Sequence, residues 1–371
     1  MIALYWQWFN PTRIFFGRGV VAEQASGLAE LGHMALLVTG EGRSSRLNGS
    51  LGDVQEALSR AGLGCQIFDQ VEANPNLETV RAGAQLAREV KADVVIAVGG
   101  GSPLDAAKAI AVLAVNDLDD ESLFAAEFTA ALPTVAVPTT AGTGSEVTPY
   151  SILTYPKIQS KRNLSSPLLY PALALVDPDY CATLPRHITV DTAMDAYSHA
   201  LEGYLSLKAN PFSDRLAEES LRILGEQLRR LCSKDIPAAE EREALSYGSV
   251  LAGMVISQTG TSIPHALGYA LTYFKDMPHG RANGLLLPAY LHFNLNSKAG
   301  ARAQAVLDAS GFDDEAHFAA TMQQLAGEPP YCSEQEKQDF VEICLRAKNI
   351  RNNVVQPRDE DVVDIFRLSL G

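Results

Sequence analysis

The sequence predicts an α/β N-terminal half built on a doubly wound parallel sheet, followed by an all-α C-terminal half. Three observations carry this expectation. Up to about Asp177, short apolar runs alternate with stretches of helical periodicity. Those apolar runs lack polar alternation, as strands buried on both faces do. From about Leu184 onward, β-like runs disappear and long helical patterns replace them.

The elements follow in order. Met1–Val20 is rich in aromatics, and Asn10-Pro11 divides it into two extended pieces, as in a hairpin. Ala35–Val38 reads as a strand, Leu51–Ala61 as a helix, Cys65–Phe68 as a strand and Leu77–Val90 as a helix. Val94–Val98 is a strand running into a glycine cluster, Asp105–Val115 is helical, and Thr134–Val137 is the next strand. Strands alternating with helices imply right-handed crossovers, which place ligand-binding loops at the carboxyl ends of the strands. Beyond this lie helical patterns at Val190–Leu205, Ser213–Leu231 and Glu241–Gln258, with more towards the C-terminus. Pro178 and Pro185 punctuate the change, so the expected domains are residues 1–180 and 181–371.

Bulk properties narrow the function. A chain of 371 residues suits two domains of ordinary size. A net charge of −14 repels phosphate backbones and anionic lipid, which argues against nucleic-acid and membrane partners. The five cysteines are scattered and never form a CxxC pair, as expected of a cytoplasmic protein with free thiols. The N-terminus lacks the basic-then-apolar layout of a signal peptide, and no apolar run is long enough to span a bilayer.

Two loops carry binding chemistry. Gly99, Gly100, Gly101 and Ser102 lie between a buried strand and a helix, with Pro103 suited to the first helical turn and Asp105 assigned to that turn as well. Such a turn lets the backbone approach a ligand, and the free N–H groups of a helix N-terminus attract phosphate. A tight turn without a ligand is the competing reading. The loop after the next strand, Pro138–Glu146, favours the first: it offers Thr139, Thr140, Thr143 and Ser145 with two glycines, a density of hydrogen-bonding groups that a plain turn does not need. The first strand ends at Gly40, where an acidic residue would grip the adenosine ribose of NAD. Gly40, with Arg43, Ser44 and Ser45 beside it, leaves room and donors for a 2′-phosphate, so NADP is expected ahead of NAD.

Asp195 and His199 are four residues apart in a helical stretch, which stacks them on one face. His265 and His279 follow in apolar surroundings, and three of the chain's seven histidines fall in this set. Each alone reads as a solvated or satisfied residue. One carboxylate and three imidazoles together, without sulfur, suit Fe²⁺, with Zn²⁺ also possible, and leave positions for a substrate oxygen.

These residues resemble the iron-containing (group III) alcohol dehydrogenase family, which shares a dehydroquinate synthase-like fold with a Rossmann-like N-terminal domain. The resemblance runs over almost the whole chain: Phe15-Phe16-Gly17, Asn74-Pro75, Gly99–Asp105 with Lys108, Pro138–Thr148, Ser166-Pro167, Asp177-Pro178, Met194–Ala196 with His199, and Pro278–Gly280. It implies metal ligation by Asp195, His199, His265 and His279. It also implies cofactor contacts from Gly40, Asn74, Gly100, Gly101, Ser102, Asp105, Thr139, Thr140, Thr143 and Lys161. One position departs from the family: where many members carry a histidine four residues after the third ligand, Tyr269 stands here. A tyrosine can relay a proton, although its ordinary pKa near 10 makes it a poorer relay at neutrality.

The implied activity is hydride transfer between NAD(P) and a small primary alcohol, diol or aldehyde, the ion acting as Lewis acid in a cleft that closes between the domains. Oxidation of a polyol such as glycerol is the nearer alternative. A dehydroquinate synthase-like lyase is the more distant one, because only Lys275 and Arg281 lie near His265 and His279 in sequence. The extended aromatic N-terminus suits pairing with a second subunit's edge, so a homodimer is expected.

Overall fold

The computed structural model describes residues 5–233 and 237–371. Close packing divides them into two units: Asn10–Leu184, and residues 5–9 with Pro185–Gly371.

The first unit is organised by six strands: β1 (Arg13–Phe16), β2 (Met34–Gly40), β3 (Gly64–Val71), β4 (Val94–Gly99), β5 (Thr134–Pro138) and β8 (Leu173–Val176). They form one parallel sheet in the order β1-β8-β5-β4-β2-β3. Two more strands, β6 (Tyr150–Tyr155) and β7 (Ser160–Ser165), pair as an antiparallel hairpin. The uninterrupted apolar runs have the expected cause. Every residue of β4 and β5 is buried, and two hydrophobic clusters share the sheet: Leu36, Val38, Val95 and Ala97 belong to one, Leu37, Val94, Ile96 and Val98 to the other. From β2 the chain runs outward to β3 on one side and to β4 on the other. The order therefore reverses between β2 and β4, and in such sheets ligands bind at the carboxyl ends of the strands that flank the reversal. Gly40 ends β2 and Gly99 ends β4.

Among the described residues no N-terminal hairpin forms. Residues 5–12 carry no strand, and β1 pairs instead in parallel with β8. Asn10 is the reason: its side-chain oxygen accepts from the Thr12 amide at 3.2 Å and its amide donates to the Val147 carbonyl at 3.0 Å, fixing a turn with Pro11 that sends the chain into the sheet edge. Residues 5–9 leave with the helical unit. Gln258 donates to the Phe9 carbonyl, and the Phe9 amide donates back to Gln258, while Trp8 packs edge-on against Phe212 at 4.5 Å. Met1–Leu4 of the aromatic segment lie outside the described residues.

The second unit contains long helices at Arg186–Tyr204, Pro211–Ser233, Ala239–Thr259, Ile263–Lys275 and His279–Leu295, followed by shorter ones to Leu370. Among the described residues no helix is long and apolar enough to cross a membrane. The 186–204 helix is buried almost all round from Val190 to Tyr204, as a helix wrapped by neighbours must be. Glycines set how closely those neighbours come. A β-carbon at Gly280 would lie 2.7 Å from the Asp191 carbonyl carbon and 3.0 Å from the Asp195 β-carbon, and one at Gly284 would lie 2.5 Å from the Met194 sulfur. Only bare backbone lets the 279–295 helix pack this tightly against the 186–204 helix.

Candidate metal and nucleotide sites

In the helical unit, Asp195 and His199 share one face of the 186–204 helix, His265 stands in the first turn of the 263–275 helix, and His279 opens the 279–295 helix. Asp195, His199 and His265 are buried and His279 is half-buried. Their side chains converge. His199 Nε2 lies 2.9 Å from His265 Nε2, and Asp195 Oδ1 lies 3.8, 3.6 and 3.9 Å from the Nε2 atoms of His199, His265 and His279. Four ligand atoms held about 2.0–2.1 Å from one ion at tetrahedral angles are roughly 3.4 Å apart. The three Asp195–imidazole separations and the His199–His265 separation bracket that value, so these contacts suit donors gathered around a divalent cation. Asp195, His265 and His279 also meet the geometric condition for a shared ion as a trio.

The charges agree. Burial works to raise the Asp195 carboxyl, but the imidazoles of His199, His279 and His265 outweigh it and hold the group well below the usual carboxylate range. Burial works to lower His265, and the carboxylates of Glu202 and Asp195 outweigh it, raising that imidazole to about 9.

Two buried residues that sequence reasoning missed complete the arrangement. The Asn283 amide donates to Asp195 Oδ1 at 3.0 Å and stands 3.2 and 3.3 Å from the Nε2 atoms of His265 and His279, while its own oxygen is buried without a partner. An amide N–H₂ thus meets the three donor atoms at which a cation's charge would be accommodated. Glu202 lies 2.5 Å from His265 Nδ1 and is itself fully buried. The signals were present in the sequence: Glu202 follows His199 by three residues and Asn283 follows His279 by four, both on the ligands' helix faces. Tyr269 stacks on His279 with ring centres 5.2 Å apart and meets His265 edge-on at 6.5 Å.

In the sheet unit, Gly99 leaves β4 at φ 152°, a conformation that suits glycine. Gly100 then begins a 13-residue helix, Gly101–Leu113, whose first turn no side chain caps. Bare N–H groups at such an end form an anion site. The Pro138–Glu146 loop packs directly on it: Thr139 donates its amide to the Gly99 carbonyl at 2.9 Å. A β-carbon at Gly100 would be 3.3 Å from the Thr140 side chain, and one at Gly101 would be 2.6 Å from the Thr143 methyl. Asn74, at φ 59°, donates its amide to the Ser102 hydroxyl at 3.2 Å. Gly40 and the Gly99 turn end neighbouring strands. Ser44 is exposed, whereas Ser45 is buried with its hydroxyl 2.7 Å from that of Thr39.

Asp105 departs from its expected place. The helix begins at Gly101, so Asp105 falls beyond the first turn and its carboxylate faces the neighbouring loop: it accepts from the Ser145 hydroxyl at 2.5 Å and the Ile152 amide at 3.0 Å. Buried Lys108 donates to Ser145, to the Thr148 carbonyl and to the Tyr150 carbonyl. The two residues bind the glycine-loop helix to the second loop. Lys161 lies in β7, paired with Thr154; burial raises the Asp105 carboxyl above its ordinary value, opposed most by Lys108 and least by Lys161.

Comparison with known proteins identifies the family. Residues 11–178 match the model of iron-containing alcohol dehydrogenases, and residues 189–370 match that of the C-terminal part of the same family. A 1,3-propanediol dehydrogenase from Citrobacter freundii is 37% identical over 290 residues, 77% of this chain and 74% of the relative. An NADPH-dependent butanol dehydrogenase from Clostridium saccharobutylicum is 35% identical over 290 residues, 76% and 73% of the two chains. The crystal structure of an iron-containing alcohol dehydrogenase from Thermotoga maritima superposes with a TM-score of 0.92, at 38% identity, covering 99% of both chains. The chain belongs to the iron-containing alcohol dehydrogenase family. It is accordingly an enzyme, an oxidoreductase of alcohols that uses NAD(P) and iron.

Proposed function

We propose that this enzyme interconverts small primary alcohols or diols with their aldehydes, prefers NADP, and holds one Fe²⁺ through Asp195, His199, His265 and His279. Zn²⁺ suits the same donors. The observation that carries the reading is the convergence of the His199, His265 and His279 Nε2 atoms on Asp195 Oδ1 at 3.6–3.9 Å, with His199 and His265 2.9 Å apart, on residues that are buried or half-buried. When bound, the ion supplies Lewis acidity at the substrate oxygen and NAD(P) supplies or accepts the hydride.

The chain's own residues do the rest. Met194, Ala196, Ala266 and Leu267 flank the donors in sequence and are buried, so the surroundings of the site are apolar and suit an uncharged substrate end. Tyr269 places a phenol beside two ligands, where it exchanges the substrate's proton and braces the His279 ring. In the sheet unit the Gly99–Ser102 turn receives the pyrophosphate, with hydroxyls of Thr139, Thr140 and Thr143 beside it, and Asn74 and Lys161 border the nucleotide. Asp105 serves through the loop it fixes. Preference for NADP rests on Gly40. A β-carbon there would meet only the Val71 carbonyl at 3.5 Å and Pro103 at 3.8 Å, so the backbone does not demand glycine. The bare position instead suits a bulky 2′-phosphate, with Ser44 exposed nearby.

The lyase alternative is disfavoured by charge. Lys275 pairs with Glu336 at 2.7 Å, and Arg281 pairs with Asp191 at 2.9 Å, so both cations that sequence placed near the ligands are engaged. Five free cysteines suit a cytoplasmic location, and edge strand β1 suits a homodimer. Fractionation and light scattering test these two assignments.

The decisive experiment measures NADPH and NADH oxidation with short aldehydes, anaerobically, after chelation and after adding back Fe²⁺ or Zn²⁺. Metal-restored turnover is expected. No turnover by metal-loaded protein that binds nucleotide would overturn the substrate class.

A further inference from the structure

His265 can turn either ring nitrogen towards the other ligands, and only one choice builds the metal site. We infer that Glu202 makes that choice: it is a positioning residue that fixes the His265 proton on Nδ1 and so presents the bare Nε2 to the metal. The inference rests on the metal site proposed above.

Glu202 stands one helical turn beyond His199, so Asp195, His199 and Glu202 line one face of the same helix. Its carboxylate is fully buried and surrounded by donors. The Ser198 hydroxyl donates to Oε1 at 2.5 Å, and His265 Nδ1 lies 2.5 Å from the same oxygen. The Ser262 amide and hydroxyl reach Oε2 at 2.5 and 3.3 Å. A backbone amide can only donate, so Oε2 must accept. A carboxylate offers no proton of its own when ionised, so His265 Nδ1 must carry one. Nε2 is then the ring nitrogen that remains to offer a lone pair to a metal, and this is the atom that lies 2.9 Å from His199 Nε2 and 3.6 Å from Asp195 Oδ1. A metal-bound histidine held by a carboxylate at its other nitrogen is a general device that sets ring orientation and ligand basicity.

The carboxylate is itself braced. Ser262 immediately precedes the 263–275 helix, so Glu202 ties the start of the His265 helix to the helix carrying Asp195 and His199. Behind it the Ser262 hydroxyl lies 3.1 Å from the Tyr290 hydroxyl, which donates to Asn353 at 2.6 Å, and Asn353 donates to Asn294. All of these groups are buried.

Glu202→Gln separates this role from simple packing. The amide has the same shape, but one end of it must present N–H₂ to groups that donate in the native chain. The Ser262 amide cannot reverse its role, whereas the histidine can. The variant therefore turns its N–H₂ towards His265, whose proton moves to Nε2 and blocks the metal position. The test titrates Co²⁺ into chelated wild-type, Glu202→Gln and Ser262→Ala proteins, reading the cobalt absorption bands, with urea melts of the metal-free forms. Glu202→Gln should bind Co²⁺ about 10–100-fold more weakly, with altered bands and a metal-free melt close to wild type. Ser262→Ala keeps the donating amide and should bind within a few-fold of wild type. Glu202→Gln affinity within twofold of wild type, or an equal loss in Ser262→Ala, overturns the inference. Wild-type protein that binds no Co²⁺ overturns the metal site itself. Should Glu202→Gln not fold, ¹⁵N-histidine NMR of the Zn²⁺-loaded wild type decides: a proton on His265 Nδ1 supports the inference, and its absence refutes it.

Discussion

Gly280 offers a direct probe of how the metal site depends on helix packing. It follows His279 and lies against the backbone of the 186–204 helix, where an added β-carbon would come within 2.7 Å of the Asp191 carbonyl carbon and 3.0 Å of the Asp195 β-carbon. Carbon atoms rest at about 3.5–4.0 Å, so Gly280→Ala forces the two helices apart by roughly 1 Å. Neither neighbour is the flexible end of a side chain, and the Arg281–Asp191 ion pair ties the helices at this level. Overpacking of this kind costs about 1–3 kcal/mol or more. The displacement also carries His279 away from Asp195, and ligand distances tolerate only about 0.2 Å. The variant should therefore lose about 1–3 kcal/mol in a urea melt of the metal-free protein and bind metal at least tenfold more weakly in a chelator-buffered titration. Nucleotide affinity, which the sheet unit supplies, should be unchanged. Wild-type metal affinity in Gly280→Ala would show that the close approach of these helices does not set the ligand geometry.

Three further outcomes follow from particular residues. A β-carbon at Gly40 makes only ordinary contacts, so Gly40→Asp is compatible with the backbone there; two unit charges about 5 Å apart at an effective dielectric of ~20 repel by about 3 kcal/mol, so the NADPH:NADH ratio of kcat/KM should fall ten- to a hundredfold, and an unchanged ratio would misplace the 2′-phosphate. Tyr269→Phe keeps the ring stacked on His279 and removes only the hydroxyl; kcat should fall on the order of 100-fold with metal content unchanged, and wild-type kcat would remove Tyr269 from proton transfer. Burial raises buried Glu146 to about 7 from 4.5. The folded state therefore holds a proton that the unfolded state has released, and stability declines as pH rises from 4.5 through 7. Glu146→Gln should abolish that decline and be more stable than wild type at pH 8 by on the order of 2 kcal/mol; parallel stability profiles for the two proteins would contradict it.

Much of this was legible in the sequence because the relevant signals are local. A strand buried on both faces must be apolar throughout, so Val94–Val98 showed itself, as did the glycine turn that follows it. The Asp195–His199 spacing marks one helix face. What sequence did not reveal depends on long-range partners. Asn10 looked like the bend of a hairpin, but its bond to the Val147 carbonyl, 137 positions away, sends β1 to pair with β8. Asp105 reads as a first-turn carboxylate, but the helix begins at Gly101 and Ser145 and Ile152 hold it beyond that turn. Glu202 and Asn283 went unnoticed because a Glu or Asn on a helix is ordinarily solvated; their meaning comes only from the histidine each one touches.

The most direct test of the central claim is metal stoichiometry against turnover. Anaerobic Fe²⁺ titration of chelated wild type and His279→Ala should show, for wild type, one ion per chain and NAD(P)H-dependent reduction of a short aldehyde rising in step with occupancy, and neither for the variant. Full turnover by metal-free protein, or equal occupancy and activity in His279→Ala, would contradict a reaction dependent on an ion held by Asp195 and the three histidines.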